Sequence, residues 1–240
     1  MKIATLGLLA IIGASFAGTA TAGVNANGYL LLHTDDSVIY TEDDEDSYCN
    51  LLEVDCPFDP ECDDDHMGCS SAAMSLTPTS GLGPDETLVW VVAAFWPDAC
   101  PRVTAVQFGL SWPVEAAASP IIKTGSCAPF ELPTGNWPNE LLEGTAVSWA
   151  PNAITRTAFP VYWFTAYSYY GPMEVALADF PTGTTGAAFA DDSVPAVLDQ
   201  IPDANMGSVG LNGATGSNPY MVPVPVNEKS WGEVKAIFGR

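Results

Sequence analysis

Basic residues are scarce in this chain. Seven Lys and Arg stand against 29 Asp and Glu in 240 residues, a formal net charge of −22. Such a chain repels phosphate backbones and anionic lipid surfaces, which excludes nucleic-acid binding and attachment to acidic membranes. Charge of any sign is sparse as well, at 15% of residues against about 25% in an ordinary soluble protein. Histidine occurs twice, His33 in an expected strand and His66 in a Cys-rich loop, and both read as structural residues. There is no Gly-x-Ser-x-Gly, no His-Glu-x-x-His and no phosphate-cradling glycine loop. Glu115, Glu131, Glu140, Glu143 and Glu174 could supply the two carboxylates of a glycosidase, but no spacing singles out a pair. These absences point to a protein that is not an enzyme. Disorder is excluded by what is abundant: 48% of residues are hydrophobic, ample for a core.

The first segment reads as a leader. Lys2 gives a positive start, Ile3 to Phe16 is apolar, and Ala20-Thr21-Ala22 has the small-x-small form of a cleavage site before Gly23. No later apolar run approaches the ~20 residues of a membrane span. Loss of residues 1–22 removes Lys2 and no acid, leaving a net charge of −23. The expected location is outside the cytoplasm: extracellular, cell surface or periplasmic.

The body reads as strands. Gly28–His33 and Ser37–Thr41 are short and β-prone, with Asp35-Asp36 as a turn between them. Thr87–Trp96 is almost continuously apolar, as in a central strand buried on both sides. Val103–Trp112 alternates, with Val106, Phe108, Leu110 and Trp112 on one face. Further strands are expected at Gly144–Ala150, Pro160–Tyr170, Met173–Phe180, Ala187–Ala190 and Met206–Leu211. Pro, Gly and Asn clusters separate them, and no segment of the body keeps a helical period over three turns. The fold class is all-β: one antiparallel two-sheet sandwich of about eight to ten strands over residues 23–215.

Residues 42–86 read as a long acidic insertion. In an oxidising compartment the six cysteines, Cys49, Cys56, Cys62, Cys69, Cys100 and Cys127, favour disulfides. Four of them fall within 21 residues as C-x6-C-x5-C-x6-C. The expected pattern is two bridges inside the insertion and a third between Cys100 and Cys127. A zinc site including His66 is the alternative, but the close C-x2-C pairs of structural zinc sites are missing. Residues 35–65 hold 14 of the acids. A divalent cation would relieve their repulsion, and Asp59-x-Glu61-x-Asp63-x-Asp65 alternates as calcium loops do. The competing reading is a solvated acidic loop held by disulfides. Asp35-Asp36-Ser37-Val38 recurs as Asp191-Asp192-Ser193-Val194, consistent with two Asx-type turns or with a shared metal site. Trp163, Tyr167 and Tyr169 alternate with Tyr162, Phe164 and Tyr170, which suits either packing or a sugar-stacking platform.

The end of the chain changes character. Residues 216–227 are Pro-rich, and alternating Val-Pro favours an extended linker. In residues 228–240, Ser230 and Glu233 form a capping box, and Trp231, Val234, Ile237 and Phe238 share one face of a short helix. Such a helix needs a docking partner to be stable. The segment Trp231-Gly-Glu-Val-Lys-Ala-Ile-Phe-Gly-Arg240 resembles the Trp-Gly-x-x-Lys-Ala endings of many secreted proteins from uncharacterised bacterial lineages. Tyr40-Thr41, Tyr48-Cys49, Gly125-Ser-Cys127, Phe130-Glu-Leu-Pro133, Tyr162-Trp-Phe164 and Asp191-Asp-Ser-Val194 are similar to the same group. Val103-Thr-Ala-Val-Gln-Phe-Gly-Leu-Ser-Trp-Pro113 resembles an early strand of cohesin-like sandwiches, a resemblance that implies fold class only. Two functions fit the sequence. One is an exported, non-catalytic structural or cell-surface protein that self-associates or attaches through its tail, with calcium in the acidic loop. The other is a secreted module that binds a glycan or a protein on an exposed aromatic face.

Overall fold

The computed structural model describes residues 22–52, 73–96, 99–114, 119–182 and 185–221. It is an all-β sandwich with eleven strands among those residues. One sheet has the order β1-β2-β7-β4, formed by β1 (Tyr29–Thr34), β2 (Thr87–Ala94), β7 (Ala158–Ala166) and β4 (Ile121–Ser126). The second is built on β3 (Ala105–Ser111) in the order β10-β9-β3-β6-β5. Its other members are β5 (Phe130–Pro133), β6 (Gly144–Ser148), β9 (Ala188–Ala190) and β10 (Leu198–Gln200). Along one edge β3 pairs first with β9 and then with β8 (Met173–Ala178), which carries β11 (Ser208–Leu211) outside it. All these strand pairs are antiparallel.

The period-two pattern of β3 holds: Val106, Phe108 and Leu110 face the β1-β2-β7-β4 sheet and lie with Val89, Val91, Phe164 and Val175 in the main core. The continuous run in β2 also behaves as its composition requires, since all eight residues are buried. Its second buried face contacts Tyr40, Tyr48, Ala73, Leu76 and Tyr220, not another sheet. Leu31, Leu88, Trp90, Val92 and Trp163 project away from the main core and are covered by Tyr48, Ala73, Leu76 and Tyr220. A second core therefore lies on the outside of the β1-β2-β7-β4 sheet. Trp90 Nε1–H donates to the Tyr48 carbonyl at 2.8 Å, and the Tyr48 hydroxyl exchanges bonds with the backbone of Thr41.

Several expectations are corrected by this arrangement. Ser37–Thr41 is not a strand: Val38 N–H donates to the Asp35 carbonyl in a turn, and Tyr40 packs on Tyr48 and Trp163. The expected Cys100–Cys127 bridge is replaced by Cys49–Cys127, with Cα atoms 5.4 Å apart. It ties the four-residue helix α1 (Tyr48–Leu51) to the end of β4. Cys100 is also disulfide-bonded, but not to Cys127. Because Cys49 pairs outside the insertion, two bridges cannot close within it. Three strands, β4, β5 and β10, occur where the sequence showed none. Residues 216–221, placed in the linker by composition, pack on the body, where the Tyr220 hydroxyl donates to the Phe95 carbonyl at 3.0 Å.

β7 explains how a strand with Pro160 can sit in mid-sheet. Its register against β2 shifts between Val91 and Val92, leaving Val161 as an extra residue, a β-bulge. A bulge tolerates the missing N–H of proline.

Candidate functional site

The aromatic strand is not a sugar platform. Tyr162, Trp163 and Phe164 are all buried, on opposite faces of β7 and in different cores. Tyr162 is held by a polar chain: its hydroxyl donates to Glu131 Oε1 at 2.7 Å and accepts from Trp137 Nε1–H at 3.0 Å. Thr145 Oγ1 donates to the same carboxylate oxygen at 2.8 Å. Burial and the neighbouring Glu131 charge push the Tyr162 phenol well above its ordinary range. Glu131 thus serves the core, and Glu143 accepts from Thr134 Oγ1. Tyr169 and Tyr170 are exposed, but they lie beyond β7, in the turn before β8.

His33 is structural. It stacks on Trp90, and its Nδ1 accepts the Thr77 N–H at 2.8 Å. Burial holds its pKa below the ordinary imidazole value, against the opposing pull of Asp35. The repeated Asp-Asp-Ser-Val strings both form Asx turns. Ser37 N–H and Oγ–H donate to Asp35, and Ser193 N–H and Oγ–H donate to Asp191, which also accepts from Val197 N–H. The second Asp of each string bonds elsewhere, Asp36 to Ser80 and Gly81, Asp192 to Arg102. Among the described residues no three His, Cys, Asp or Glu side chains are grouped to hold a metal. Asp59, Glu61, Asp63 and Asp65, with His66, Cys56, Cys62, Cys69 and the tail residues Trp231, Val234, Ile237 and Phe238, lie outside the described residues.

The distinctive surface is the outer face of the β3 sheet. Residues that alternate with the buried ones point away from the core, and the strand registers set them in two rows. One runs Phe130, Ser148, Ala105, Ala190, Leu198; the other runs Leu132, Ala146, Gln107, Ala188, Gln200. None of the ten is charged, in a chain with 36 charged side chains. Half-solvated sheets ordinarily present polar side chains to water. Here small residues make the centre flat, while Phe130 (58% exposed), Leu132 (60%) and Leu198 (48%) stand at its margins. Four strand spacings make it about 20 Å wide, and two rows make it about 10 Å long. At one end Phe180 and Pro181 lie against Gly144, where a Cβ would meet the Phe180 ring at 2.8 Å. Beyond them, beside β8 and β11, lies a groove of about 420 Å³ lined by Glu174, Asp179, Asp203, Met206 and Ser217.

The two sheets therefore end differently. The outer face of one is covered by Tyr40, Tyr48, Ala73, Leu76 and Tyr220 and stapled by Cys49–Cys127; the two rows on the outer face of the other carry no charge, and the nearest outward acid of that sheet is Glu174 on β8. This face is not legible in the sequence because β5 and β10 are too short to show a period. The alternation Phe130-Glu131-Leu132 was the available signal.

No family model matches the chain, and no curated protein matches its sequence. Solved structures that resemble it distantly are cohesins. A cohesin module from a Clostridium perfringens family 33 glycoside hydrolase shares 9% identity over 55% of this chain and 86% of its own, with a TM-score of 0.39. A type I cohesin from Pseudobacteroides cellulosolvens shares 10% over 56% and 88%, with a TM-score of 0.40. The sixth cohesin of Acetivibrio cellulolyticus scaffoldin B, solved with a mutant Cel5 dockerin, shares 11% over 56% and 94%, with a TM-score of 0.38.

Proposed function

We propose that this is an exported, non-catalytic protein-docking module whose working surface is the open face of the β3 sheet. The observation that carries the reading is the contrast between the two sheets: one outer face is roofed and cross-linked, while the other presents two rows of ten residues without a charge. Aromatic and aliphatic side chains around a flat centre are the composition of an interface core, from which charges are depleted. A standard interface takes about 800 Å² per partner, so the two rows form its centre and the adjoining turns its rim. The occupant is a different protein with a flat apolar patch and a basic side chain at its edge, which the groove containing Glu174 and Asp203 suits. A second copy is disfavoured by the repulsion of two chains that each carry a net charge of −22. Disulfides at Cys49, Cys127 and Cys100 suit an oxidising compartment. Attachment through Trp231, Val234, Ile237 and Phe238 would hold the module at its site of action while the sheet face takes the partner.

The test is affinity capture from the producing cells with three immobilised chains: wild type, one lacking residues 222–240, and Leu132→Asp/Ala146→Arg. Both substituted side chains face outward, so the fold is retained. Partners kept by the first two chains and lost at least tenfold by the third support the reading. Equal retention by the face variant sinks it, and loss confined to the truncated chain assigns binding to the tail instead.

A further inference from the structure

The segment just after the leader is locked into the sandwich. Gly23 N–H donates to Asp199 Oδ1 at 2.6 Å, and Asn25 N–H donates to Asp199 Oδ2 at 2.9 Å. Asn25 is fully buried, and its side chain exchanges hydrogen bonds with the backbone of Arg102 at 3.2 and 2.8 Å. Asp199, in the short strand β10, points into the protein and is only 6% exposed. No Lys, Arg or His side chain pairs with it among the described residues. A carboxylate taken out of water is costly unless a positive charge or several donors compensate it. Here it has two backbone amides and no cation. The fit to Gly23 is also close: a Cβ on that residue would lie 2.4 Å from Asp199 Oδ2, so any larger residue there would push the carboxylate out of place.

Gly23 is the residue that follows Ala20-Thr21-Ala22. Hydrolysis there consumes one water and breaks the Ala22–Gly23 amide. The carboxylate remains on Ala22, and the nitrogen of Gly23 becomes a protonated amine. We infer that this cleavage completes the fold: the ammonium on Gly23 seats against Asp199 and supplies its missing cation. The inference rests on the reading of residues 1–22 as a removable leader. It makes the mature domain more stable than its precursor, because the same nitrogen changes from a neutral donor to a charged one. Charge-assisted hydrogen bonds are roughly twice as strong as neutral ones. Leader removal thereby stabilises the exported form alone.

Four oxidised chains with defined N-termini test it. They begin at Gly23 or at Ala22, each with Asp199 or with Asp199→Asn, and their thermal midpoints are compared. The chain starting at Gly23 should melt at least about 4 °C above the one starting at Ala22, and Asp199→Asn should abolish the gap. Equal midpoints, or a gap that survives Asp199→Asn, would overturn the pairing. Should Asp199→Asn not fold, acetylation of the Gly23 amine reads the same interaction. Loss of the 4 °C advantage supports it; an unchanged midpoint refutes it. These chains are made with set termini, so the result does not depend on where the cell cuts. That point is decided separately by the intact mass of the exported protein, where any start other than Gly23 overturns the cleavage reading.

Discussion

Replacing Cys49 and Cys127 together by Ser should cost most of the stability that the covered sheet owes to its roof. The bridge spans 78 residues of sequence. Loop-closure entropy for a ring of that size is worth about 4.5 kcal/mol at 25 °C. Cys100 lies inside the ring and is itself bridged, which shortens the effective loop. The dependence is logarithmic, so even halving the loop removes only about 0.6 kcal/mol. The expected loss is therefore about 4 kcal/mol, a large part of the 5–15 kcal/mol of a typical domain. Urea unfolding under non-reducing conditions, followed by tryptophan emission, measures it directly. Trp90 and Trp163 lie under the roof, so loosening the roof should also shift native-state emission to the red before the main transition. A loss under about 1 kcal/mol with an unchanged urea slope and unshifted emission would refute the reasoning. It would mean that Tyr48, Ala73 and Leu76 hold the roof by packing alone.

Three further outcomes follow from particular groups. Tyr162→Phe removes the partner of the Glu131 carboxylate and of the Trp137 indole N–H, so it should cost about 1–3 kcal/mol in chemical denaturation. Tyr170→Phe, at an exposed turn, should stay within about 0.5 kcal/mol. Burial depresses the His33 pKa in the folded chain, so between that value and the ordinary value near 6.5 the unfolded chain binds the extra proton. Stability from the neutral ring is fully present above that window and falls as pH drops through it. The midpoint advantage of wild type over His33→Gln should shrink from pH 7.5 to pH 5.5, and a constant advantage would contradict the burial effect. Calcium at Asp59, Glu61, Asp63 and Asp65 would raise the midpoint by several degrees at millimolar concentration, reversed by chelator and lost in the Asn variants; no shift leaves a solvated acidic segment.

The fold class and most strands were legible because they rest on strong local signals. The eight-residue run of β2 and the alternation of β3 need no tertiary information to be recognised. β4, β5 and β10 were not legible for physical reasons. Ile121–Ser126 contains Lys, Thr, Gly and Ser because it is an edge strand whose outer side is only partly covered. Leu198–Gln200 turns an Asp inward, against the usual pattern, because that carboxylate binds the Gly23 and Asn25 amides. The Cys49–Cys127 pairing depends on α1 packing back against β7 beside the end of β4, and sequence spacing carries no trace of that. The Asx turns at Asp35 and Asp191 were readable, since their bonds close within two residues. The docking face was not, because a flat row of Ala, Ser and Gln becomes a surface only once five strands are in register.

If the open rows dock a partner as proposed, that register also separates the two ways the chain would act on it. Seven acids, from Asp35 to Asp46, belong to the segment beside the covered sheet, and none of the ten outward residues of the open rows is charged. The two sheets of a sandwich lie about 10 Å apart, comparable to the screening length at ~0.1 M salt. The acids on the far side therefore contribute to the field that a partner meets at a distance, but little to the energy of final contact. A basic partner would be drawn in by the body as a whole, which would speed encounter. It would then meet two rows from which no charge must be stripped of water, so the large desolvation penalty of buried ion pairs would be avoided. Binding strength would be set by how well the partner fits between Phe130, Leu132 and Leu198, and orientation by the acid-lined groove beside β8. Placing acids on the rows themselves would strengthen the attraction at long range and weaken the contact, which is a physical reason for their absence from a surface this large in so acidic a chain.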